Sequence, residues 1–97
     1  MNERSPEDLC SIALDPSLPD DMRQGAIANL ARVHTRDAVD ALLILAGRQE
    51  ESDELLEGAG AVLAALAHGG VAVSEWDLRN LTTPAAKAFF SEGAPRG

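Results

Sequence analysis

The residues of this chain whose types could do chemistry are mostly carboxylates, and they occur in two runs. The first run contains Asp15, Asp20 and Asp21. The second run comprises Glu50, Glu51, Asp53, Glu54 and Glu57. Carboxylates can bind a metal ion, transfer a proton or attract a basic protein. Neither run has the spaced oxygen ligands and central glycine of a calcium-binding loop, so we predict no metal site.

The remaining reactive side chains lack the surroundings that catalysis requires. His34 and His68 each stand near the expected end of a helix, where a histidine usually interacts with the helix dipole. Cys10 follows Leu9 on an apolar helical face, so we expect a small core residue rather than a reactive thiol. The sequence contains no nucleophile motif and no glycine-rich phosphate loop. We therefore predict no enzymatic activity, no catalytic residue and no cofactor.

The charge of the chain restricts its partners. The 97 residues include 16 acids against 8 Lys and Arg, which gives a formal net charge of −8. Binding to nucleic acid requires clustered Lys and Arg, so we predict no nucleic-acid partner. An acidic surface instead accelerates the encounter with a basic protein, so a basic protein partner is expected.

Cysteine content and hydropathy bear on the compartment. Cys10 is the single cysteine, which excludes an intramolecular disulfide and a cysteine-based zinc cage. No segment has the apolar length of a membrane span, and residues 1–8 are polar and unlike a signal sequence. We therefore expect a cytoplasmic protein that makes no membrane contact. The sequence leaves the oligomeric state open.

The sequence repeats itself at an offset of 33 residues, so that residues 20–33 align with residues 53–66. The identical pairs are Asp20 with Asp53, Gly25 with Gly58, Ala26 with Ala59, Ala28 with Ala61, Leu30 with Leu63 and Ala31 with Ala64. A fixed period of this size is typical of stacked helix pairs. The alternative is an independent antiparallel bundle whose periodicity is accidental.

Helix start and stop signals divide the chain into the elements of such a stack. Hydroxyl side chains that can cap a helix precede stretches with helical apolar spacing, and Pro or Gly follows most of these stretches. We predict a single all-α domain, 1–97, with five to six helices. Its parts are a half-repeat 6–15, a repeat 19–47, a repeat 52–81, a closing helix 84–91 and a frayed tail 92–97.

Helical spacing also predicts which side chains of the second helix are buried. Met22, Ile27 and Leu30 lie on one apolar face, which we expect to be in the core. Glycine inside a helix costs roughly 1 kcal/mol relative to alanine. We therefore expect the helical glycines Gly25, Gly58 and Gly60 to be retained because they let neighbouring helices approach closely, which fits the paired positions of Gly25 and Gly58.

The sequence gives different expectations for the burial of the three aromatic residues. Trp76 aligns with Leu43 of the preceding repeat, so packing is the first expectation, whereas an exposed Trp76 is a candidate binding hot spot. Phe89 and Phe90 are adjacent and cannot share one face of a helix. One of them is expected to cover the end of the stack and the other to be partly exposed.

Residues 20–30 resemble the first helix of a HEAT-like repeat, which typically shows an acid, an aliphatic residue followed by Arg, then Ala and Leu. The matching residues are Asp21, Met22, Arg23, Ala26 and Leu30. The second copy departs from this pattern, because Leu56 replaces the arginine. The resemblance covers roughly residues 6–80. It implies a short right-handed HEAT-like stack in which the first helix of each repeat is on the convex side and the second on the concave side.

The repeat also organises the acids. The 33-residue offset aligns the pair 20–21 with the pair 53–54, so both runs are expected to lie at the starts of successive outer helices and to form one acidic rim. Acids at helix starts also complement the helix dipole and increase solubility, which is the structural alternative. The candidate partner-binding residues are Asp20, Asp21, Glu50, Glu51, Asp53, Glu54, Glu57 and Trp76.

Size, charge and the resemblance together favour one function over two alternatives. Some small, acidic immunity proteins of bacterial toxin systems look like HEAT-type helical stacks. The resemblance therefore implies an immunity protein whose acidic rim occludes the basic active-site cleft of a toxin domain, such as a nuclease. The first alternative is an adaptor or regulatory subunit of an enzyme complex, with a less electrostatic interface. The second is a relative of the longer HEAT-like bilin lyases, which the lack of a catalytic group disfavours.

Overall fold

The described part of the chain consists of helices joined by short loops. A computed structural model describes residues 5–93, and this stretch contains six helices and no strand. The helices are α1 (Pro6–Leu14), α2 (Asp20–Leu30), α3 (Arg36–Ala46), α4 (Asp53–His68), α5 (Glu75–Leu78) and α6 (Thr83–Gly93). The predicted all-α class and the predicted number of helices are therefore confirmed.

Four of these helices begin at a hydroxyl side chain. In each of them the side-chain oxygen of the N-cap residue accepts a hydrogen bond from the backbone N–H three residues later, which satisfies a donor that the helix itself leaves unpaired. The capping residues are Ser5, Thr35, Ser52 and Ser74. At the other end, α3 stops before Gly47 and α4 stops before Gly69. These local signals explain why the helices begin and end at these positions.

The helices are arranged in two rows. α4 packs against both α2 and α6, and α3 packs against α1. Contacts between α1 and α2 and between α3 and α4 join the rows. The chain after α5 continues along the end of α3, where Thr82 donates hydrogen bonds from its N–H and its hydroxyl to the carbonyl of Ala46, at 3.0 Å and 2.8 Å. α6 thus follows α4 in its row as α4 follows α2.

A continuous core of Leu, Ile, Val and Ala lies between the rows. It includes Leu9 of α1, Ile27 of α2, Leu42 of α3, Leu63 of α4 and Ala85 of α6. Removing these apolar side chains from water is the main favourable term in folding. α5 contributes no buried residue, because a helix of four residues is too short to present a continuous apolar face.

A close helix approach occurs at Gly60 of α4. A Cβ atom at this position would overlap the carbonyl group of Ala85, so the backbones of α4 and α6 come into direct contact there. The expected close approach is therefore confirmed at Gly60. The assignment of Gly25 is wrong, because a Cβ there would meet no atom within 4 Å, whereas a Cβ at Gly58 would lie 3.3 Å from Oε1 of Gln24.

The buried face of α2 differs from the prediction in its first turn. Met22 is 45% exposed, whereas Arg23 is buried beside Ile27 and Leu30. The prediction for Met22 is therefore wrong. Helical periodicity of apolar residues does not predict the burial of an arginine. Arg23 can be buried because its charge is paired with that of Glu51.

The closing helix is longer than predicted. α6 begins at Thr83 and continues to Gly93, so the first two residues of the predicted tail 92–97 are helical. Residues 94–97 of that tail lie outside the described residues. Phe89 packs against the core and Phe90 is 53% exposed, which confirms the prediction that the two rings differ in burial.

Candidate protein-binding surfaces

A buried ion pair joins α2 to the loop between α3 and α4. The guanidinium group of Arg23 donates to both carboxylate oxygens of Glu51, with N–O distances of 2.9 Å and 2.7 Å. The two side chains are 3% and 7% exposed. A two-bond arrangement of this kind is the strongest geometry for an arginine and a carboxylate. The predicted partner-binding residue Glu51 is thus turned inward.

This ion pair also completes the end of α1. Nε of Arg23 donates to the carbonyl of Ala13 at 3.1 Å, and Arg48 donates to the carbonyl of Leu14 at 2.8 Å. Arg48 also lies 3.5 Å from the carboxylate of Glu51. The last carbonyls of a helix have no partner within the helix, and α1 has no basic residue in its own last turn. Arg23 and Arg48 supply the missing donors, and the carboxylate of Glu51 interacts with both guanidinium groups.

The environment of Glu51 keeps its carboxylate ionised. Hydrogen bonds from Arg23 lower the pKa of Glu51 below its ordinary value of 4.5, and Arg48 contributes in the same direction. Burial alone would raise this pKa, so the two arginines outweigh the loss of hydration. The assignment of Glu51 to a partner-binding surface is corrected accordingly, since this side chain holds three segments of the fold together.

The other predicted acids form an exposed surface, which we call the acidic edge. Each of its members is exposed, and none forms an ion pair with another residue of the described range 5–93. The members are Asp20, Asp21, Glu50, Asp53, Glu54 and Glu57. The acidic edge therefore presents negative charge to solvent that no neighbouring arginine or lysine compensates at ion-pair distance.

Two contacts bring the two halves of the acidic edge together. The hydroxyl of Ser52, which caps α4, donates to Oδ2 of Asp20 in the first turn of α2 at 3.1 Å. One turn further along, the side-chain oxygen of Gln24 lies against Gly58. The starts of α2 and α4 are therefore adjacent, as the 33-residue offset predicts.

The helix dipole accounts for part of the acidic edge but not for all of it. Four of its acids lie in the first turns of α2 and α4, where negative charge is favourable. Glu50 precedes the cap of α4, and Glu57 lies beyond its first turn. Glu54 and Glu57 line an open groove of about 520 Å³ between α4 and α6, which Gln24 and Lys87 also line. The acidic edge is thus continuous with a concave surface.

Trp76 is on the surface rather than packed. Its side chain is 73% exposed, and the guanidinium of Arg79 stacks over the indole ring at 4.7 Å from the centroid. The expectation that Trp76 packs like Leu43 of the preceding repeat is wrong, because α5 is too short to turn the ring into the core. The second expectation, an exposed aromatic anchor, applies instead.

Two further exposed apolar side chains flank Trp76, and we call the three residues Ile44, Trp76 and Phe90 the tryptophan ridge. Ile44 is 54% exposed and Phe90 is 53% exposed. Trp76 and Phe90 line one groove of about 620 Å³, and Ile44 and Trp76 line a second groove of about 640 Å³. Ile44 was not among the surface residues predicted from the sequence. The signal was the unbroken apolar run 42–45, because four successive residues cannot all face the core side of a helix.

A network of charged side chains fixes the position of Trp76. Asp77 accepts two hydrogen bonds from Arg36 of α3, at 2.9 Å and 3.0 Å, and it also closes a capping box with Ser74 at the start of α5. Arg36 donates further to Asp40 and to the carbonyl of Ala72. The hydrogen bonds from Arg36 and Ser74 hold the pKa of Asp77 well below its usual range. The short helix α5 is thereby attached to α3 with Trp76 pointing outward.

The thiol and the possible metal ligands were the remaining groups with potential reactivity. Burial raises the pKa of the Cys10 thiol, and the nearby carboxylates of Asp37 and Glu7 raise it further, so that the thiolate is disfavoured. Among residues 5–93 no three His, Cys, Asp or Glu side chains lie close enough to hold a metal ion. Over the same residues, no helix combines the length and apolar character needed to cross a membrane.

Comparison with known proteins finds no matching family model, no similar curated protein and no similar solved structure. The interpretation of the acidic edge and the tryptophan ridge therefore rests on their geometry and charge.

Proposed function

We propose that this chain is a cytoplasmic protein-binding module without catalytic activity, and that the acidic edge is its binding surface for a basic protein. The observation that carries the proposal is the set of six exposed carboxylates, which lack an arginine or lysine partner among the described residues. Uncompensated charge of one sign attracts a partner of opposite charge over long range and increases the rate of encounter.

Among such modules we favour an immunity protein of a bacterial toxin system, with the HEAT-like architecture that the sequence suggests. The toxin would be one whose active-site cleft is basic, such as a nuclease, because enzymes that bind nucleic acid carry clustered Lys and Arg. The acidic edge would occupy this cleft in place of the phosphate backbone. The mechanism is occlusion and requires no bond to be made or broken by the immunity protein.

A protection assay tests this function. The chain is produced together with a toxin domain encoded beside its gene, and the survival of the cells is measured. The variant Glu50→Lys with Glu57→Lys reverses two charges of the acidic edge that do not lie in a first helical turn. The control is Glu7→Lys with Asp37→Lys, which changes the net charge equally at exposed positions outside the acidic edge. Both control positions lie in first helical turns, where lysine opposes the helix dipole, so the control is at least as demanding on stability as the acidic-edge variant.

The proposal expects wild-type chain and the control to protect, and the acidic-edge variant to protect poorly. We expect the variant's dissociation constant for the toxin domain to rise at least about tenfold, because charge reversals at an interface remove attraction and add repulsion. A toxin domain that forms no complex with wild-type chain contradicts the immunity function. Equal protection by the two variants contradicts the assignment of the acidic edge.

The second candidate function is an adaptor or regulatory subunit of an enzyme complex. The tryptophan ridge favours it, because exposed aromatic side chains next to grooves are typical of the centres of protein interfaces. In that case the partner would dock on apolar surface, and binding would be insensitive to salt and to Glu50→Lys. Loss of partner binding in Trp76→Ser with retention in Glu50→Lys would select this function over the first.

A further inference from the structure

The tryptophan ridge has a different electrostatic character from the rest of the molecule. The chain carries a net charge of −8, but the charged residues that line the two grooves beside Trp76 are three acids and three arginines. These residues are Asp40, Glu75, Asp77, Arg36, Arg48 and Arg79. No member of the acidic edge lines either groove. An apolar surface with balanced charge is therefore separate from the surface that carries the uncompensated charge.

This combination fits a second copy of the same chain better than a partner of strong charge. Two copies with a net charge of −8 repel each other unless they meet through a neutral surface. The tryptophan ridge provides such a surface, and its exposed aromatic rings offer the apolar area that a stable contact requires. A strongly basic protein would instead be drawn towards the acidic edge, and a nucleic acid would be repelled by the molecule as a whole.

The charges around Trp76 are also arranged so that the surface can pair with itself. Glu75 and Arg79 stand four positions apart, on either side of Trp76 in the sequence, and both line the groove that Trp76 shares with Phe90. Within the described residues neither of them forms an ion pair, and Arg79 instead stacks on the indole ring. A two-fold axis that passes midway between Glu75 and Arg79 would place Glu75 of each copy opposite Arg79 of the other. In a two-fold contact, a residue pair formed in one direction is repeated in the other direction.

The helix α5, which carries Trp76, is attached to α3 by hydrogen bonds in the single copy. Asp77 binds Arg36 through two hydrogen bonds and closes the capping box with Ser74, so α5 does not have to become ordered on association. A surface that is ordered beforehand loses less conformational entropy when it binds. We propose that the chain forms a two-fold symmetric dimer through the tryptophan ridge, with Glu75 and Arg79 pairing between copies and the acidic edge left free on each.

The dimer is tested by light scattering coupled to size-exclusion chromatography and by sedimentation equilibrium, from micromolar to millimolar chain. Wild type is expected to dimerise. Trp76→Ser with Phe90→Ser is expected to weaken the dimer at least about tenfold, since buried aromatic anchors dominate such interfaces. Met22→Ser is the matched control, because it removes an exposed apolar side chain outside the tryptophan ridge and leaves dimerisation unchanged.

Exchanging the charges of Glu75 and Arg79 tests the two-fold symmetry. It also distinguishes a lost interface from a variant that does not fold. Glu75→Arg alone and Arg79→Glu alone each place like charges opposite each other and are expected to be monomers. Mixing the two variants restores the pairing in a heterodimer, which only folded chains can form. A wild type that stays monomeric at every concentration, a dimer that survives Trp76→Ser with Phe90→Ser, or a mixture that remains monomeric overturns the proposal.

The dimer proposal is independent of the function proposed for the acidic edge. The variant Glu50→Lys with Glu57→Lys is expected to dimerise like wild type even though it loses the basic partner. Dimerisation that is lost in this variant overturns the assignment of the interface to the tryptophan ridge.

Discussion

Glu50 and Glu51 are neighbours in the sequence and carry the same functional group, yet the structure uses them in opposite ways. Glu51 is turned inward and forms two hydrogen bonds with the buried Arg23, whereas Glu50 is exposed in the loop before α4. The comparison separates two roles of negative charge in this molecule. Inward charge holds α1, α2 and the loop before α4 together, and outward charge remains available to a partner.

The largest expected effect is on folding, at Glu51. Glu51→Gln leaves the guanidinium group of Arg23 buried without a counter-charge, and breaking a buried pair in this way costs about 3–5 kcal/mol of unfolding free energy. A small domain has only about 5–15 kcal/mol in total, so this loss is severe. Urea denaturation of Glu51→Gln and of its neighbour Glu50→Gln measures the difference. We expect Glu50→Gln to lie within about 0.5 kcal/mol of wild type, as is usual for surface substitutions.

The pH dependence of stability sharpens the same comparison. The pKa of Glu51 is lowered in the folded chain, so its contribution is complete above the ordinary value of 4.5 and is lost as the pH falls through the lowered pKa. The stability gap between wild type and Glu51→Gln should therefore be constant at neutral pH and become narrower in acid. Other acids with lowered pKa values are present in both chains and cancel in the difference. A gap that widens on acidification would contradict the ionised state of Glu51.

Arg48 should show a smaller effect than Glu51. Its side chain is 29% exposed, so Arg48→Met removes a hydrogen bond to the carbonyl of Leu14 but leaves the buried pair intact. The expected loss of unfolding free energy is about 1 kcal/mol, typical of a single hydrogen bond. A loss as large as that of Glu51→Gln would show that Arg48, rather than Arg23, is the main partner of the carboxylate.

A smaller loss of stability than that of Glu51→Gln is expected when both partners of the buried pair are replaced together. Arg23→Met with Glu51→Leu removes both charges, and a buried ion pair replaced by apolar residues of similar size is often close to neutral. We expect the double variant to be more stable than Glu51→Gln alone, with a coupling energy above about 2 kcal/mol in a double-mutant cycle. Additive losses would contradict a direct interaction between the two side chains.

The sequence predicts the features that local chemistry controls. Thr35 and Gly47 mark the ends of α3, and Ser52 and Gly69 mark those of α4, because a cap acts on the backbone within a few residues of itself. The adjacent position of the two acidic runs also follows from the repeat. Neither result requires knowledge of how distant segments pack.

The features that the sequence analysis missed depend on packing between distant segments. Arg23 and Glu51 are 28 residues apart, and nothing local distinguishes Glu51 from Glu50. One signal was available, since the 33-residue offset aligns Arg23 with Leu56, which is buried. The expected burial of Trp76 is wrong for a related reason. Its alignment with Leu43 assumes a full-length helix, whereas α5 has only four residues.

The most direct test is the dissociation constant of the chain and the basic toxin domain that we propose as its partner, measured by titration calorimetry at low and high salt. We expect wild type to bind more weakly as salt increases, and Glu50→Lys with Glu57→Lys to bind at least about tenfold more weakly at low salt with a smaller salt dependence. Binding that is insensitive both to salt and to this substitution would contradict the claim that the acidic edge is the surface that recognises the partner.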